Sequence, residues 1–169
     1  MSLPSSVKGL VRQALETATK ALGTTKVGRI VFEQMANQCM QRTQTVSHQG
    51  LEMRFSVPNQ PNRFRVMTFA TKEPETLECI DRLVEGCVLW DIGANIGLYT
   101  VYAALRRKCR VVAFEPSVFN LELLVRNLHL NQFHHQVTLL PLALSNQMGS
   151  NMLRMTSTEW GGALSTFGK

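Results

Sequence analysis

Hydrophobic residues in the first part of the chain repeat with the period of an α-helix. From residue 5 to residue 22 they follow the i, i+3, i+4, i+7 rule and predict an amphipathic helix. Ser5 or Ser6 is placed to cap its start, and Gly23 to end it. A second, less regular helix is predicted from residue 26 to residue 41. Both patterns favour packing on the same domain or on a partner over a position on a membrane surface.

Two short runs with an alternating pattern come next. In residues 51–57 every second side chain is apolar, and residues 63–69 alternate less cleanly. Residues 58–62 join the two runs with prolines and asparagines, which favour turns. The two runs therefore predict a β-hairpin. A helix is predicted after them, over residues 73–83, with Pro74 in its first turn.

From residue 87 the pattern predicts strands that alternate with helices. The strands are expected at residues 87–92, 110–115 and 136–144, and the helices at residues 96–108 and 118–130. This is the spacing of consecutive βαβ units in a parallel sheet. Pro141 cannot donate to a strand ladder, so the third strand is expected at a sheet edge. The last helix is expected to bury one apolar face, made of Leu121, Leu124, Val125 and Leu128.

Composition adds limits to this α/β prediction. The chain has 169 residues, of which 44% are hydrophobic and 18% charged, as in a folded globular protein. No apolar run approaches the length of a membrane span, and the start lacks the apolar core of a signal peptide, so we expect a cytoplasmic protein. We predict a domain boundary after residue 50. It separates a helical segment, residues 1–50, from an α/β domain, residues 51–169.

Charge and cysteine usage favour structural roles. The formal net charge is +6, but the basic residues are scattered, and the densest cluster, residues 106–110, lies where a helix is expected to end. No basic stripe alternates with aromatic residues, so no specific nucleic-acid partner is predicted. The four cysteines lie in apolar segments without a CxxC pair, which predicts buried free thiols and no metal site: Cys39, Cys79, Cys87 and Cys109.

The strongest chemical signal is the sequence VLWDIGANIGLYT, residues 88–100. An apolar strand ends at Asp91 and enters a helix through Gly93, Asn95 and Gly97. Glycine has no Cβ, so the backbone can approach a ligand closely, and Asn is the non-glycine residue that best tolerates a left-handed conformation. With the free N–H groups of a helix start, such a loop is typical of a nucleoside cofactor site at the carboxyl end of a sheet.

Two carboxylates decide which nucleoside fits. Glu115 ends the next strand, 22 residues after Gly93, where it can accept hydrogen bonds from both ribose hydroxyls. Asp91 would repel a pyrophosphate but suits a cation, which favours S-adenosylmethionine over NAD. A loop that only packs a helix on a sheet would leave both carboxylates unexplained.

Four segments together resemble the FkbM family of S-adenosylmethionine-dependent methyltransferases. They are KEPETLECIDRL, VLWDIGANIGLYT, VVAFEPSVFNLELLVRNLHLN and VTLLPLALSNQMG, and the resemblance extends over residues 51–162. It implies a class I methyltransferase (Rossmann-like) sheet and O-methylation of a hydroxyl on a small molecule or a saccharide.

The resemblance also implies which residues bind the cofactor. Asp91, Gly93, Asn95 and Gly97 would surround its methionine part, and Glu115 would bind the ribose. Residues 143–146 would border the adenine, with Ala143 and Ser145 as the expected contacts, and Glu75 matches an acidic position of the preceding helix.

No residue stands out as the general base that an alcohol acceptor needs. His134 and His135 are expected at the opposite end of the sheet from the cofactor loop. Glu159 and Trp160 are candidates to line an acceptor pocket, although packing explains a loop tryptophan equally well.

The chain departs from the family after its third strand. The family continues into a fourth strand, so we expect a truncated sheet whose first strand has an open apolar edge, with self-association through it. We also expect that this chain holds a cofactor half-site and does not methylate an acceptor by itself. Two other interpretations stay open, a non-catalytic interaction module and, less favoured, an NAD-dependent oxidoreductase.

Overall fold

In the computed structural model, which describes residues 4–168, two helices make up the first of two units. They are α1 (Ser5–Gly23) and α2 (Lys26–Met40), within one residue of the predicted ends. Pro4 occupies the N-cap position, so neither predicted serine does, and Gly23 belongs to the helix. Gly28 is required for the turn, because a Cβ there would lie 1.8 Å from the carbonyl oxygen of Leu22.

The second unit starts at Gln41 rather than after residue 50, because an unpredicted strand belongs to it. β1 (Thr43–His48) pairs antiparallel with β2 (Leu51–Ser56). Gln49 and Gly50 join them with φ of 48° and 78°, the two positive values that a two-residue type I′ hairpin turn requires. Only the first strand of the predicted hairpin is confirmed, because β2 pairs with a strand before residue 51 and not with residues 63–69.

The predicted second strand of that hairpin is wrong, because residues 60–67 form a helix, α3 (Gln60–Met67). The Asn59 side chain caps it by accepting a hydrogen bond from the Asn62 N–H at 3.0 Å. Asn62 and Val66, four residues apart, are buried, whereas Phe64 is 65% exposed. The helical period therefore decides the structure, and the apparent alternation does not.

The helix predicted over residues 73–83 is also present, although it is shorter. A single helical turn, α4 (Phe69–Lys72), comes first and leads to α5 (Pro74–Asp81). Pro74 lies at the start of α5, as predicted.

The parallel sheet has the predicted elements in the predicted order. β3 (Val88–Ile92), β4 (Arg110–Phe114) and β5 (Val137–Leu140) alternate with α6 (Leu98–Arg107) and α7 (Val118–Leu130). The strand order is β3-β4-β5, with both pairs parallel, which confirms the Rossmann-like α/β class. β5 lies at an edge, as expected, but it ends before Pro141. Two unpredicted strands follow, β6 (Leu153–Arg154) and β7 (Thr166–Phe167), which pair antiparallel.

The buried face of α7 differs from the predicted one. Val125 is 51% exposed, and two asparagines take part in the buried face, which consists of Asn120, Leu123, Leu124, Asn127 and Leu128. The Asn127 side chain accepts from the Ser56 N–H at 2.7 Å and donates to the Ile96 carbonyl at 2.7 Å. It thereby joins the hairpin to the loop after β3, which an apolar residue would not do.

The helices cover one face of the parallel sheet. α6 packs on β3 and β4, α5 packs on α6, and β2 packs on α6 and α7. The opposite face is open along β3, where Val88, Trp90 and Ile92 are 56%, 61% and 62% exposed. Among residues 4–168, β3 pairs only with β4, so its other edge is open as predicted.

Other sequence expectations are settled by local contacts. The basic residues of the cluster at 106–110 form ion pairs within the domain. Arg106 pairs with Asp81 at 2.8 Å, and Lys108 pairs with Glu85. Of the four free cysteines only Cys109 is buried, and Cys79 is exposed. No helix within the described part of the chain is long and apolar enough to cross a membrane.

Candidate cofactor-binding site

The loop after β3 has the left-handed backbone that its sequence predicts. Gly93, Asn95 and Gly97 have φ of 79°, 51° and 82°. The N–H groups of Gly93 and Ala94 donate to the carbonyl of Phe114 at 2.8 and 3.0 Å, so the end of β4 fixes the loop. Gly97 then caps the start of α6.

The two glycines of this loop face different surroundings. A Cβ added to Gly93 would meet nothing within 4 Å, whereas one added to Gly97 would lie 2.1 Å from the Leu124 Cδ1 atom. Leu124 is fully buried. Gly97 is therefore required by the packing of α6 on α7, and only Gly93 leaves backbone open to a ligand.

Two cavities flank Gly93. The first, here called the Glu115 cavity, has a volume of about 400 Å³ and is lined by Gly93, Asn95, Glu115 and Ala143 among others. Ligand cavities typically have about 300–1,000 Å³. The second, the Glu73 cavity, has about 260 Å³ and contains Glu73 and Tyr99 in its wall. Gly93, Asn95 and Ala163 line both, so a ligand that fills both passes over the loop.

Glu115 is the best-fixed charged group of the site. It is 5% exposed, and each carboxylate oxygen accepts one backbone hydrogen bond, from Asn95 N–H and from Ser117 N–H, both at 2.8 Å. A carboxylate offers about four acceptor positions, so two remain for donors in the cavity. The geometry suits a pair of ribose hydroxyls.

Asp91 does not line either cavity. Its carboxylate accepts a hydrogen bond from the Thr100 hydroxyl on α6. Burial raises the pKa of Asp91 above its usual value, and the charge of Glu115 adds to the rise. The charge of Asp91 also acts on Tyr99, which lines the Glu73 cavity.

The remaining predicted site residues divide between cavity and surface. Ala143 lines the Glu115 cavity, whereas Ser145 is exposed and lines neither cavity. Glu75 is also exposed, in the first turn of α5, and the acid at the cavity is Glu73, two residues earlier. The sequence did carry a signal for Glu73, since a residue before proline is held extended and outside the helix.

Sequence reasoning also missed a set of polar contacts that closes the site. The carbonyl of Gly162 accepts from the side-chain amides of Asn95 at 2.8 Å and Asn120 at 3.0 Å. The carbonyl of Gly161 accepts from Arg65 at 2.7 Å. These bonds hold the segment of residues 160–162 beside the glycine loop. Their partners are 42 to 96 residues apart in the chain, so no local pattern shows them.

Trp160 and Glu159, the two residues predicted as candidates for an acceptor pocket, have different surroundings. The Trp160 indole N–H donates to Glu122 at 2.9 Å, and the Trp160 carbonyl accepts from Asn59 and Asn62. Trp160 thus anchors the segment, and Glu159 is exposed beside it.

Part of the chain is similar in sequence to a curated methyltransferase. No model of a protein family matches the chain. A stretch of 87 residues is 37% identical to methyltransferase sdnD of Sordaria araneosa, covering 48% of this chain and 33% of that protein. The chain thus spans about a third of the length of this curated relative. The sequence match agrees with the methyltransferase prediction, whereas the FkbM family itself remains a prediction.

Solved structures with a similar arrangement include two TYW2 proteins and a precorrin methyltransferase. P. horikoshii TYW2 in complex with MeSAdo has a TM-score of 0.46 and 16% identity, over 64% of this chain and 39% of that one. M. jannaschii TYW2 in complex with AdoMet has a TM-score of 0.43 and 20% identity, over 60% and 43%. A precorrin-6y C5,15-methyltransferase from Geobacter metallireducens has a TM-score of 0.37 and 30% identity, over 41% and 37%.

Proposed function

We propose that the α/β unit binds S-adenosylmethionine across Gly93, as the cofactor-binding part of a methyltransferase that acts on a hydroxyl of a small molecule or a saccharide. The observation that carries the proposal is Glu115, a buried carboxylate held by two backbone N–H groups at the wall of a cavity of about 400 Å³. The acceptor class comes from the FkbM resemblance and is the finer part of the proposal.

The charges around the loop support this cofactor over a dinucleotide. Burial, then the charge and hydrogen bond of Glu73, and then the charges of Glu75 and Asp91 raise the pKa of Tyr99, so three carboxylates act on this residue of the Glu73 cavity wall. A pyrophosphate placed there would be repelled. A sulfonium and an ammonium, the two cations of S-adenosylmethionine, would be attracted.

The chemistry of the proposal is an in-line displacement. When bound, the cofactor would supply a methyl group to a hydroxyl oxygen of the acceptor, its bond from that carbon to sulfur would break, and S-adenosylhomocysteine would be left. The acceptor proton must pass to a base, and no described residue near the two cavities is assigned that role. The protein residues contribute alignment, through Glu115 and the backbone at Gly93, and the cofactor supplies the reactive methyl group.

The open sheet face favours a second candidate function, that of an interaction module for another copy of the chain. Val88, Trp90 and Ile92 form an exposed apolar row beside an unpaired strand edge, the arrangement that invites edge-to-edge pairing. Sedimentation of the chain and of Trp90→Lys tests this. A concentration-dependent dimer that the substitution abolishes would support it, and a monomer at every concentration would exclude it.

Calorimetric titration tests the main proposal. We expect the chain to bind S-adenosylhomocysteine and to bind NAD far more weakly. Binding of NAD without binding of S-adenosylhomocysteine would replace the proposal by the oxidoreductase interpretation. Localisation in the cytoplasm stays a prediction from the sequence.

A further inference from the structure

Cys87 and Cys109 are neighbouring thiols at the start of the parallel sheet. Each is the residue immediately before its strand, β3 or β4, and the ladder begins with the pairing of Val88 and Arg110 directly after them. The Arg110 N–H donates to the Cys87 carbonyl at 2.8 Å, which continues the ladder to this point. The two cysteines therefore lie side by side, and the shared register places their side chains on the same face of the sheet.

The two sulfur atoms are in direct contact. The Sγ atoms lie 2.9 Å apart, and both thiols are free. Neighbouring strands are about 4.8 Å apart, which is within the range of about 4.4–6.8 Å that a disulfide requires between its two Cα atoms. Closing a disulfide here therefore needs rotation of the two side chains and no rearrangement of the backbone.

The two thiols differ in accessibility and in ionisation. Cys87 is half-buried, whereas Cys109 is fully buried. Burial raises the pKa of Cys109 to about 12, and the hydrogen bond and charge of Cys87 add to the rise. Cys109 therefore stays protonated beside Cys87, and Cys87 is the thiol that an oxidant reaches first.

We propose that Cys87 and Cys109 form a reversible disulfide, with a small-molecule disulfide such as oxidised glutathione as the oxidant. The Cys87 thiolate attacks one sulfur of glutathione disulfide, whose S–S bond breaks, and the first glutathione leaves with the proton of Cys87. Cys109 then attacks the Cys87 sulfur, and the second glutathione leaves with the proton of Cys109. Two protein thiols are oxidised, and one glutathione disulfide is reduced to two thiols.

The first step of this exchange favours the second. Once Cys87 carries glutathione, its thiol no longer gives Cys109 a hydrogen bond or a charge, and two of the causes that raise the pKa of Cys109 disappear. The charge of Arg107 lowers the same pKa and favours the Cys109 thiolate. The attacking sulfur is also already in contact with its target, so the second step is intramolecular and needs no encounter.

The disulfide would fasten the start of β3 to the start of β4. It closes the stretch from residue 87 to residue 109, which contains β3, the glycine loop and α6. Closing this loop reduces the conformational entropy of the unfolded chain and thereby stabilises the fold. The pair lies at the start of β3, whereas Gly93 follows its end, so this inference does not rest on the proposed function.

Mass spectrometry of the chain after incubation in glutathione buffers tests the proposal. Trypsin cleaves after Arg106 and Lys108, so the disulfide would join two peptides that otherwise separate. We expect these joined peptides in the unsubstituted chain. The exposed Cys79 is the internal reference for a single thiol, and we expect the pair to be half oxidised at a glutathione disulfide concentration at least about tenfold lower than Cys79.

Two variants and urea unfolding complete the test. Oxidation should raise the urea midpoint of the unsubstituted chain and of Cys79→Ser, the matched control, by about 1 M or more. Cys87→Ser should yield no joined peptides and should have the same midpoint in both buffers.

Three results would overturn the inference. They are glutathione on Cys87 without joined peptides, cysteines joined only between different chains, and joined peptides in a chain whose urea midpoint does not rise. Peptide mapping and unfolding of the unsubstituted chain decide the outcome even where Cys87→Ser does not fold.

Discussion

Gly93 and Gly97 occupy one loop and have nearly the same backbone conformation, with φ of 79° and 82°, yet they serve different purposes. Gly93 has open space where a Cβ would be and lies between two cavities. Gly97 has the side chain of Leu124 at that place. The comparison teaches that a glycine motif combines a ligand requirement with a packing requirement, and that only the structure separates them.

The strongest effect is expected from Gly97→Ala, on stability. A residue other than glycine at positive φ costs about 1–2 kcal/mol. The clash with buried Leu124 adds about 1–3 kcal/mol of overpacking. Urea unfolding should therefore show a loss of about 2–5 kcal/mol, the sum of these two terms. Gly86→Ala, which has positive φ and open space, should lose only the first term, and an equal loss in both variants would contradict the packing role of Gly97.

Gly93→Val should instead act on binding. Its β-carbon enters open space beside both cavities, so we expect affinity for S-adenosylhomocysteine to fall by tenfold or more, about 1.4 kcal/mol. Its loss of stability should match that of Gly86→Val, since both positions have positive φ and no near neighbour. Calorimetry and urea unfolding measure the two effects. Unchanged affinity in Gly93→Val would show that no ligand passes over the loop.

Glu115→Ala tests the ligand site at the end of the neighbouring strand, β4. We expect it to weaken S-adenosylhomocysteine by about 1.5–3 kcal/mol, as for a lost hydrogen bond to a charged group. It also leaves the Asn95 and Ser117 N–H groups without their acceptor, so stability should fall too. Glu159→Ala, at an exposed glutamate, is the control for charge alone. Full affinity in a folded Glu115→Ala chain would exclude Glu115 as the ribose ligand.

The smallest effect is expected for the pH dependence of stability at Asp91. Its carboxylate accepts a hydrogen bond from the Thr100 hydroxyl on α6. Burial raises its pKa in the folded chain, so folding favours the protonated carboxyl. Its contribution to stability is full below the unfolded pKa of about 4 and is lost as the pH rises through the higher folded pKa. The free energy of unfolding of the unsubstituted chain, minus that of Asp91→Asn, should therefore decrease from pH 4 upward. A difference that grows with pH would show that the folded pKa is lowered.

The sequence allowed the parallel sheet to be predicted to within two residues at each end of its elements, except for β5, which ends at Leu140 and not at residue 144, because long apolar runs there alternate with glycine and proline signals. It failed for β1, whose residues TQTVSH are mostly polar, and for the Gln49-Gly50 turn. It also failed for α3, where Phe64 and Val66 imitate a strand although a capping asparagine starts a helix. In each case a local polar or turn residue decided the structure.

Sequence reasoning named residues of one cavity where the motif is local, and it missed contacts where the partners are distant in the chain. Gly93, Asn95, Glu115 and Ala143 meet at one cavity, because the ends of parallel strands lie at the same edge of the sheet. Arg65 reaches the site through a contact with a residue 96 positions away. Such contacts depend on the packing of α3 and the segment at Gly161, which hydrophobic periodicity does not encode.

Nuclear magnetic resonance of the chain labelled with [¹⁵N]glycine tests the central claim most directly, since its eleven glycines include positions inside and outside the two cavities. On addition of S-adenosylhomocysteine, the amide signal of Gly93 should shift most and that of Gly162 should shift with it, because both line the Glu115 cavity. Signals of Gly50 and Gly86, which lie outside both cavities, should stay in place. An unchanged Gly93 signal at saturating ligand, or shifts at Gly50 and Gly86 as large as at Gly93, would contradict the account.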